Sequence, residues 1–269
     1  MIERYAAFTG DPAGGNPAGV IRDASALDDA EMLKIAADLG YSESAFVTGR
    51  DGDGYRVRYF SPLAEVPFCG HATVATAVAL GPGEHLFVTN AGAVPVTVDS
   101  TGTATLTSVP PTVAPLADAD LAALLHILDW PAADLDAALP PRVAYAGAHH
   151  PVLAVTTRER LADLNYDMPA LKALMLERGW TTIQLVFRDG PSTFDVRNPF
   201  PVGGVYEDPA TGAAAAALGG YLRELGLVGD DATLHLRQGD DLGRPSRITV
   251  RLVPGEPGVR VSGRAVPIT

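Results

Sequence analysis

Cysteine occurs once in the 269 residues, at Cys69, so no intramolecular disulfide can form and stability must come from packing. The lone thiol and six scattered histidines give neither a C-x-x-C nor an H-E-x-x-H pattern, so spacing gives no reason to expect a metal. Basic residues are few, 20 Lys and Arg against 32 Asp and Glu. The resulting formal charge of −12 sets up a long-range field that repels nucleic acid and anionic membranes, so neither is an expected partner. Long apolar runs are missing too. The longest small-apolar stretch, Ala210 to Leu222, falls short of the roughly 20 residues a transmembrane helix needs, and glycine interrupts it. The opening Met1-Ile2-Glu3-Arg4-Tyr5 has no basic region followed by an apolar segment, so no secretory signal is expected and the expected compartment is the cytoplasm.

What is present is a chain that is 47% hydrophobic and 19% charged, enough to fill one large core or two modest ones. Alternation of apolar and polar residues predicts strands at Ile2 to Phe8, Val20 to Asp23, Ser44 to Thr48, Arg56 to Phe60, Val94 to Val98 and Ala104 to Ser108. From Leu27 to Leu39, Met32, Ile35, Ala36 and Leu39 recur at helical spacing, with acids in the first turn and Gly40 at the end. The prolines of Val109-Pro110-Pro111-Thr112-Val113-Ala114-Pro115 stiffen that segment and deny it regular structure, which puts a boundary between residues 1–113 and 114–269. The last strand is free to return to the first part. Beyond the boundary, helices are expected at Asp118 to Leu128 and Pro169 to Arg178. Strands are expected at Val152 to Thr156, Thr182 to Phe187, Thr193 to Val196, Thr233 to Arg237, Arg247 to Val253 and Val259 to Val266.

An internal echo links the parts. Gly70 to Leu80 and Gly212 to Leu222 both start on glycine and consist of small apolar residues. A helix apolar on every side is buried, so each is expected to be the core helix of an α/β half. Free N–H groups at the start of each helix, reinforced by its dipole, suit a carboxylate. If the halves face each other, both termini reach one cleft; the plainer reading is two buried helices with water-capped ends.

Polar residues cluster beside these termini: Glu65 and His71 at the first, Glu207 and Asp208 at the second. A carboxylate in a partly desolvated cleft is raised toward neutrality and can take and return a proton. Asp208, with Pro209 and Thr211, also reads as ordinary helix capping. Glu43 stands at the junction of a helix end and an apolar strand, where a side chain projects from a rigid base. His149 and His150 read as surface or turn residues.

Several segments together resemble the phenazine-biosynthesis PhzF-like isomerase family, of the diaminopimelate epimerase fold. They are Gly15-Asn16-Pro17-Ala18-Gly19-Val20, Ser42-Glu43-Ser44-Ala45-Phe46, Arg58-Tyr59-Phe60-Ser61-Pro62 with Glu65, and Phe68-Cys69-Gly70-His71-Ala72-Thr73. Glu207-Asp208-Pro209-Ala210-Thr211-Gly212, Gln238-Gly239 and Gly243-Arg244-Pro245-Ser246 complete the set. The resemblance implies two similar α/β (α+β) halves, each a curled, mostly antiparallel sheet around a central helix. It implies a homodimer, and an isomerase that needs no metal or organic cofactor and acts on a small carboxylate-bearing substrate. Glu43 would shuttle the proton, with His71 and Asp208 holding and polarising the substrate. Asn16 and the backbone at Gly70, His71, Gly212 and Ala213 would bind it. The namesake isomerises trans-2,3-dihydro-3-hydroxyanthranilate. Ala213 replaces a serine common in the family, so one hydroxyl donor is missing. Racemases of the fold use two opposed cysteines; here the second position falls near Pro209, which leaves Cys69 as a packing residue. Epimerisation at one carbon, or a non-catalytic member that only binds a small acid, are the alternatives.

Overall fold

The computed structural model describes residues 1–269, which form two compact units. The first comprises Met1–Thr107, Gly243–Arg247 and Ser262–Thr269; the second comprises Ser108–Leu242 and Ile248–Val261. The chain thus leaves the first unit at Thr107, six residues before the expected boundary, and two later segments belong to that unit. Strand pairing carries the end of the chain back to the first unit: the last strand, β17 (Arg260–Pro267), pairs with the first, β1 (Glu3–Ala7), with Tyr5 opposite Pro267 and Ala7 opposite Ala265.

In the first unit, β1 pairs antiparallel with β2 (Asn16–Ile21), and β2 runs parallel to β3 (Glu43–Asp51). The crossover between these parallel strands is the amphipathic helix α1 (Asp29–Leu39). Asp28 and Glu31 close a reciprocal capping box at its start, Gly40 ends it in the left-handed conformation, and Met32 and Ala36 are buried. β3 continues antiparallel to β4 (Gly54–Phe60), which also pairs with the short β5 (Glu65–Val66). The helix α2 (Gly70–Leu80) follows, then β6 (Gly83–Thr89), β7 (Gly92–Val98) and β8 (Thr103–Thr107). Because β4 also pairs with β6, β8 with β17, and β17 with β1, the strands of this unit close into a ring.

The ring explains the composition of α2, which packs against β1, β2, β3, β7 and β8. Residues 71–77 are buried, so no polar stripe is possible. The two threonines are tolerated because their hydroxyls bond back one turn, Thr73 to the Cys69 carbonyl and Thr76 to the Ala72 carbonyl, each at 2.7 Å.

The second unit begins with β9 (Thr112–Pro115), a strand within the segment expected to lack regular structure. Only one proline ring enters the ladder, at its last residue, where a missing donor costs least. After α3 (Asp118–Leu128), β10 (Arg142–Tyr145) pairs with β9 and with β11 (His149–Val155). Then come α4 (Arg158–Ala162), α5 (Met168–Arg178), β12 (Gln184–Arg188), β13 (Thr193–Pro199), β14 (Glu207–Asp208), α6 (Gly212–Glu224), β15 (Thr233–Gln238) and β16 (Ser246–Arg251), whose first two residues belong to the first unit. One face of β11 and β12 packs on α3, α4 and α5 through Leu153, Leu185, Leu124, Leu161 and Met175. The helix α6 packs against β9, β10 and β11, with Ala214 to Leu222 buried. Each unit therefore holds one small-residue helix inside a curled sheet. Because β11 starts at His149, before the expected strand, His150 is fully buried and is not a surface residue. No helix is long and apolar enough to cross a membrane.

Candidate active site

Three turns bring four polar side chains of the first unit together. The turn before β2 is glycine for a reason: Gly15 has φ +66°, and a Cβ there would lie 2.4 Å from the Ala7 carbonyl. Arg244 clamps this turn, donating from Nε to the Gly15 carbonyl and from Nη2 to the Gly14 carbonyl, both at 2.8 Å. Asn16, which opens β2, is thereby fixed and buried. Glu43 opens β3, four residues after the last residue of α1, in register with Ala18 of β2. Cys69 and His71 stand at the start of α2, at the N-cap and the second helical position.

Glu43 Oε2 lies 3.7 Å from His71 Nε2, with side-chain exposures of 13% and 5%. The Cys69 thiol is 3.6 Å from Glu43 Oε2 and 3.3 Å from His71 Nδ1. Asn16 Nδ2 is 3.2 Å from His71 Nδ1, and Ser42 Oγ is 3.5 Å from Nε2. Since an amide NH₂ only donates, this contact makes Nδ1 the acceptor and leaves the proton on Nε2, the nitrogen facing Glu43 and Ser42. Burial pulls the His71 imidazole below its ordinary pKa, and the Glu43 carboxylate opposes that shift without cancelling it. His71 is therefore a neutral ring with an N–H donor beside a carboxylate.

Not every acid picked out near the helix termini belongs to this cluster. Glu65 accepts from Arg58 Nε and Nη2 at 2.7 Å each and from Asn90 Nδ2 at 2.8 Å. Arg58 holds its carboxyl below the usual range, the opposite of the rise expected for a proton shuttle. Cys69, read from sequence as packing, is buried but contacts the two ionisable groups. Its position two residues before His71 at the same helix start is visible in sequence; its proximity to Glu43, 26 residues away, is not.

In the second unit, Asp208 and Glu207 form β14, opposite Asn198 and Pro199 of β13. Glu207 is paired twice over with Arg197, whose Nε lies 3.0 Å from Oε1 and whose Nη2 lies 2.5 Å from Oε2. Burial raises the Glu207 carboxyl in spite of that partner. Asp208 Oδ2 accepts from the Thr211 hydroxyl at 2.5 Å. Gln238, assigned no role from sequence, binds the same corner: its Oε1 receives the Thr211 N–H at 3.1 Å and its Nε2 donates to the Asp208 carbonyl at 2.7 Å. Thr211 is the N-cap of α6, yet its own side chain caps nothing. Gly212 and Ala213 are the first two helical residues, and their N–H groups, like those of Gly70 and His71 in α2, have no partner within the helix.

The comparisons agree with this architecture. A family profile described as Phenazine biosynthesis-like protein, PhzC-PhzF, matches residues 5–269. The uncharacterized isomerase YddE of Salmonella typhimurium is 33% identical, covering 99% of this chain and 95% of that protein. The trans-2,3-dihydro-3-hydroxyanthranilate isomerase of Pseudomonas fluorescens is 30% identical, with 89% of this chain and 86% of that protein covered. The crystal structure of a Bacillus anthracis phenazine biosynthesis protein of the PhzF family superposes with a TM-score of 0.89 at 26% identity, covering 100% of this chain and 96% of the other. Fold, buried polar cluster and relatives together define an isomerase. The chain belongs to the phenazine biosynthesis-like PhzC-PhzF family.

Proposed function

We propose that the protein catalyses a proton shift on a small carboxylate-bearing substrate, with Glu43 as the one acid/base. The observation that supports this most is the pairing of a nearly buried carboxylate with a buried, neutral imidazole whose N–H faces it. Glu43, ionised, removes a proton from a carbon made acidic by an adjacent unsaturated or carboxylate-bearing group and returns it to another carbon on the same face. The bond electrons left behind move into the neighbouring unsaturated system, and the His71 N–H stabilises the charge that develops on oxygen there. No step in this scheme needs a redox group. Asp208 orients an amine or hydroxyl of the substrate, a role carried by family resemblance, as are the roles of the backbone at Gly70, Gly212 and Ala213.

The relative from Pseudomonas fluorescens acts on trans-2,3-dihydro-3-hydroxyanthranilate, which makes that compound the first to try. Incubation in D₂O with it and with a panel of amino and hydroxy acids, followed by NMR, reads proton transfer directly. Glu43→Gln preserves shape and removes the base, so any conversion should fall by about 10²–10⁴-fold. Turnover by that variant close to that of the unaltered protein would refute the assignment of Glu43.

A further inference from the structure

A carboxylate 3.7 Å from an imidazole ordinarily draws a second proton onto the ring, and the ion pair so formed would quench Glu43 as a base. What opposes this at His71, besides burial, is the group at its other nitrogen. Asn16 Nδ2 lies 3.2 Å from Nδ1. The Cys69 sulfur, 3.3 Å from Nδ1 and 3.9 Å from Nε2, sits beside the ring and off the lone pair, which leaves that lone pair to the amide. A second proton would have to go on Nδ1, where it would break this bond and set two buried donors face to face. Asn16 is held in place by its backbone. It pairs with Ala7 of β1, and the turn before it is fastened by Arg244 to the Gly14 and Gly15 carbonyls and by the Gly15 N–H to the Pro245 carbonyl at 3.1 Å. At 1% exposure its side chain is out of reach of a substrate, against the binding role that the family resemblance implies.

We propose that Asn16 is a positioning residue: by donating to Nδ1 it keeps His71 uncharged with its N–H turned to Glu43, so that Glu43 is not tied up in an ion pair, and it does not touch the substrate. The titratable groups facing the ring are few. Glu43 of β3 supplies the charge that acts on it, and Cys69 lies against it from the start of its own helix. Of the other strands packed on α2, β2, β7 and β8 carry no titratable side chain. β1 carries Glu3, Arg4 and Tyr5, with Glu3 spent on Arg22, and Arg50 and Asp51 lie at the far, exposed end of β3. The proposal deepens the proton-shift reading and rests on it for the role of Glu43, but the state of the ring is measurable without turnover.

Nitrogen NMR of the His71 ring in the full chain, followed across pH, provides the test. In the unaltered protein near neutral pH, Nε2 should carry the proton and Nδ1 should show the shift of a bare, hydrogen-bonded nitrogen. Asn16→Asp keeps the shape but puts at Nδ1 a carboxylate that only accepts. The His71 pKa should then rise by about 1–3 pH units, with both nitrogens protonated in the charged form. Asn16→Leu, close in size and uncharged, covers the case in which the aspartate variant does not fold: loss of the donor alone should raise the pKa by a smaller amount. A proton on Nδ1 in the unaltered protein, or a His71 pKa that stays put or falls in the variants, would overturn the proposal. With a substrate that turns over, Asn16→Asp should lower kcat at least about tenfold and leave KM within about twofold. A raised KM with an unchanged ring would make Asn16 a substrate-binding residue and equally overturn it. Absence of conversion by the unaltered protein would count against the proton-shift reading alone, because the ring measurements still decide the part played by Asn16.

Discussion

The Oε2 atom of Glu43 stands 3.7 Å from Nε2 of His71, and this carboxylate is the charge that opposes the drop in His71 basicity caused by burial. In Glu43→Gln the opposing charge is gone while the burial remains, so the His71 pKa should fall further below its ordinary value. NMR titration of the His71 ring protons in both proteins checks this. An unchanged or raised pKa would mean that the two side chains do not face each other in solution.

Two glycines share a backbone conformation but not surroundings, which makes them a matched pair. Gly15 has φ +66° and a Cβ there would press on the Ala7 carbonyl, whereas Gly40 has φ +67° and nothing lies within 4 Å of its added Cβ. Gly40→Ala should therefore cost only the left-handed penalty, about 1 kcal/mol. Gly15→Ala adds a clash with backbone, which cannot rotate away, and should cost about 1–3 kcal/mol more while displacing Asn16 from His71. Urea denaturation of the two variants gives the difference, and equal losses would show that the turn before β2 is looser than its contacts imply.

These local details mark what was legible in the sequence. The core helices were readable because small apolar residues on all sides of a helix have no other stable place, and α2 runs over the expected Gly70 to Leu80. The helix α1 was readable from its periodicity and caps. The closure of the first unit was not, because strand alternation says which face is buried but not which strand comes next to which: nothing in β17 names β1 as its partner. The β9 strand was hidden by its prolines. At the site, family motifs picked out Glu43, His71 and Asn16, but the proximity of Cys69 to Glu43 and the grip of Gln238 on Asp208 and Thr211 depend on tertiary approach across 26 and 30 residues. Glu65 shows the converse, an acid that stood out in sequence and whose charge is used by Arg58.

The Arg197–Glu207 pair is buried on both sides, so breaking it should be costly. Arg197→Met leaves the Glu207 carboxylate without its guanidinium, in surroundings that already raise its pKa. The expected loss near neutral pH is about 3–5 kcal/mol. Adding Glu207→Gln removes the stranded charge and should restore part of the loss. Full recovery is not expected, because Arg197 Nη1 also holds the Ala162 carbonyl at the end of α4, at 2.7 Å. Denaturation curves for the single and double variants decide it: a double variant less stable than the single would mean that the stranded charge is not the main cost.

His150 provides the last test, because its surroundings fix both its tautomer and its titration. Thr182 spends its hydroxyl proton on Asn198 Oδ1 at 2.8 Å, so it can only accept from His150 Nδ1, also at 2.8 Å. The ring is fully buried, and burial lowers its pKa from 6.5 to about 3, a hydrogen bond to the Thr182 backbone opposing and His149 adding to the shift. A basic group whose pKa is depressed by folding stays neutral in the native state while the unfolded chain takes up a proton, so stability is complete above the unfolded value and declines as pH falls. From about pH 6.5 down to about pH 5, where the carboxylates begin to contribute, His150 should remove roughly 1.4 kcal/mol per pH unit. His71, lowered in the same direction, adds to the decline. In His150→Asn, which keeps an N–H near the position of Nδ1 but cannot be protonated, the decline over this window should be shallower by about one proton. Urea denaturation of both proteins across the window measures the two slopes. Equal slopes would mean that His150 is protonated within the fold and that the Thr182 contact is not the one-way bond described.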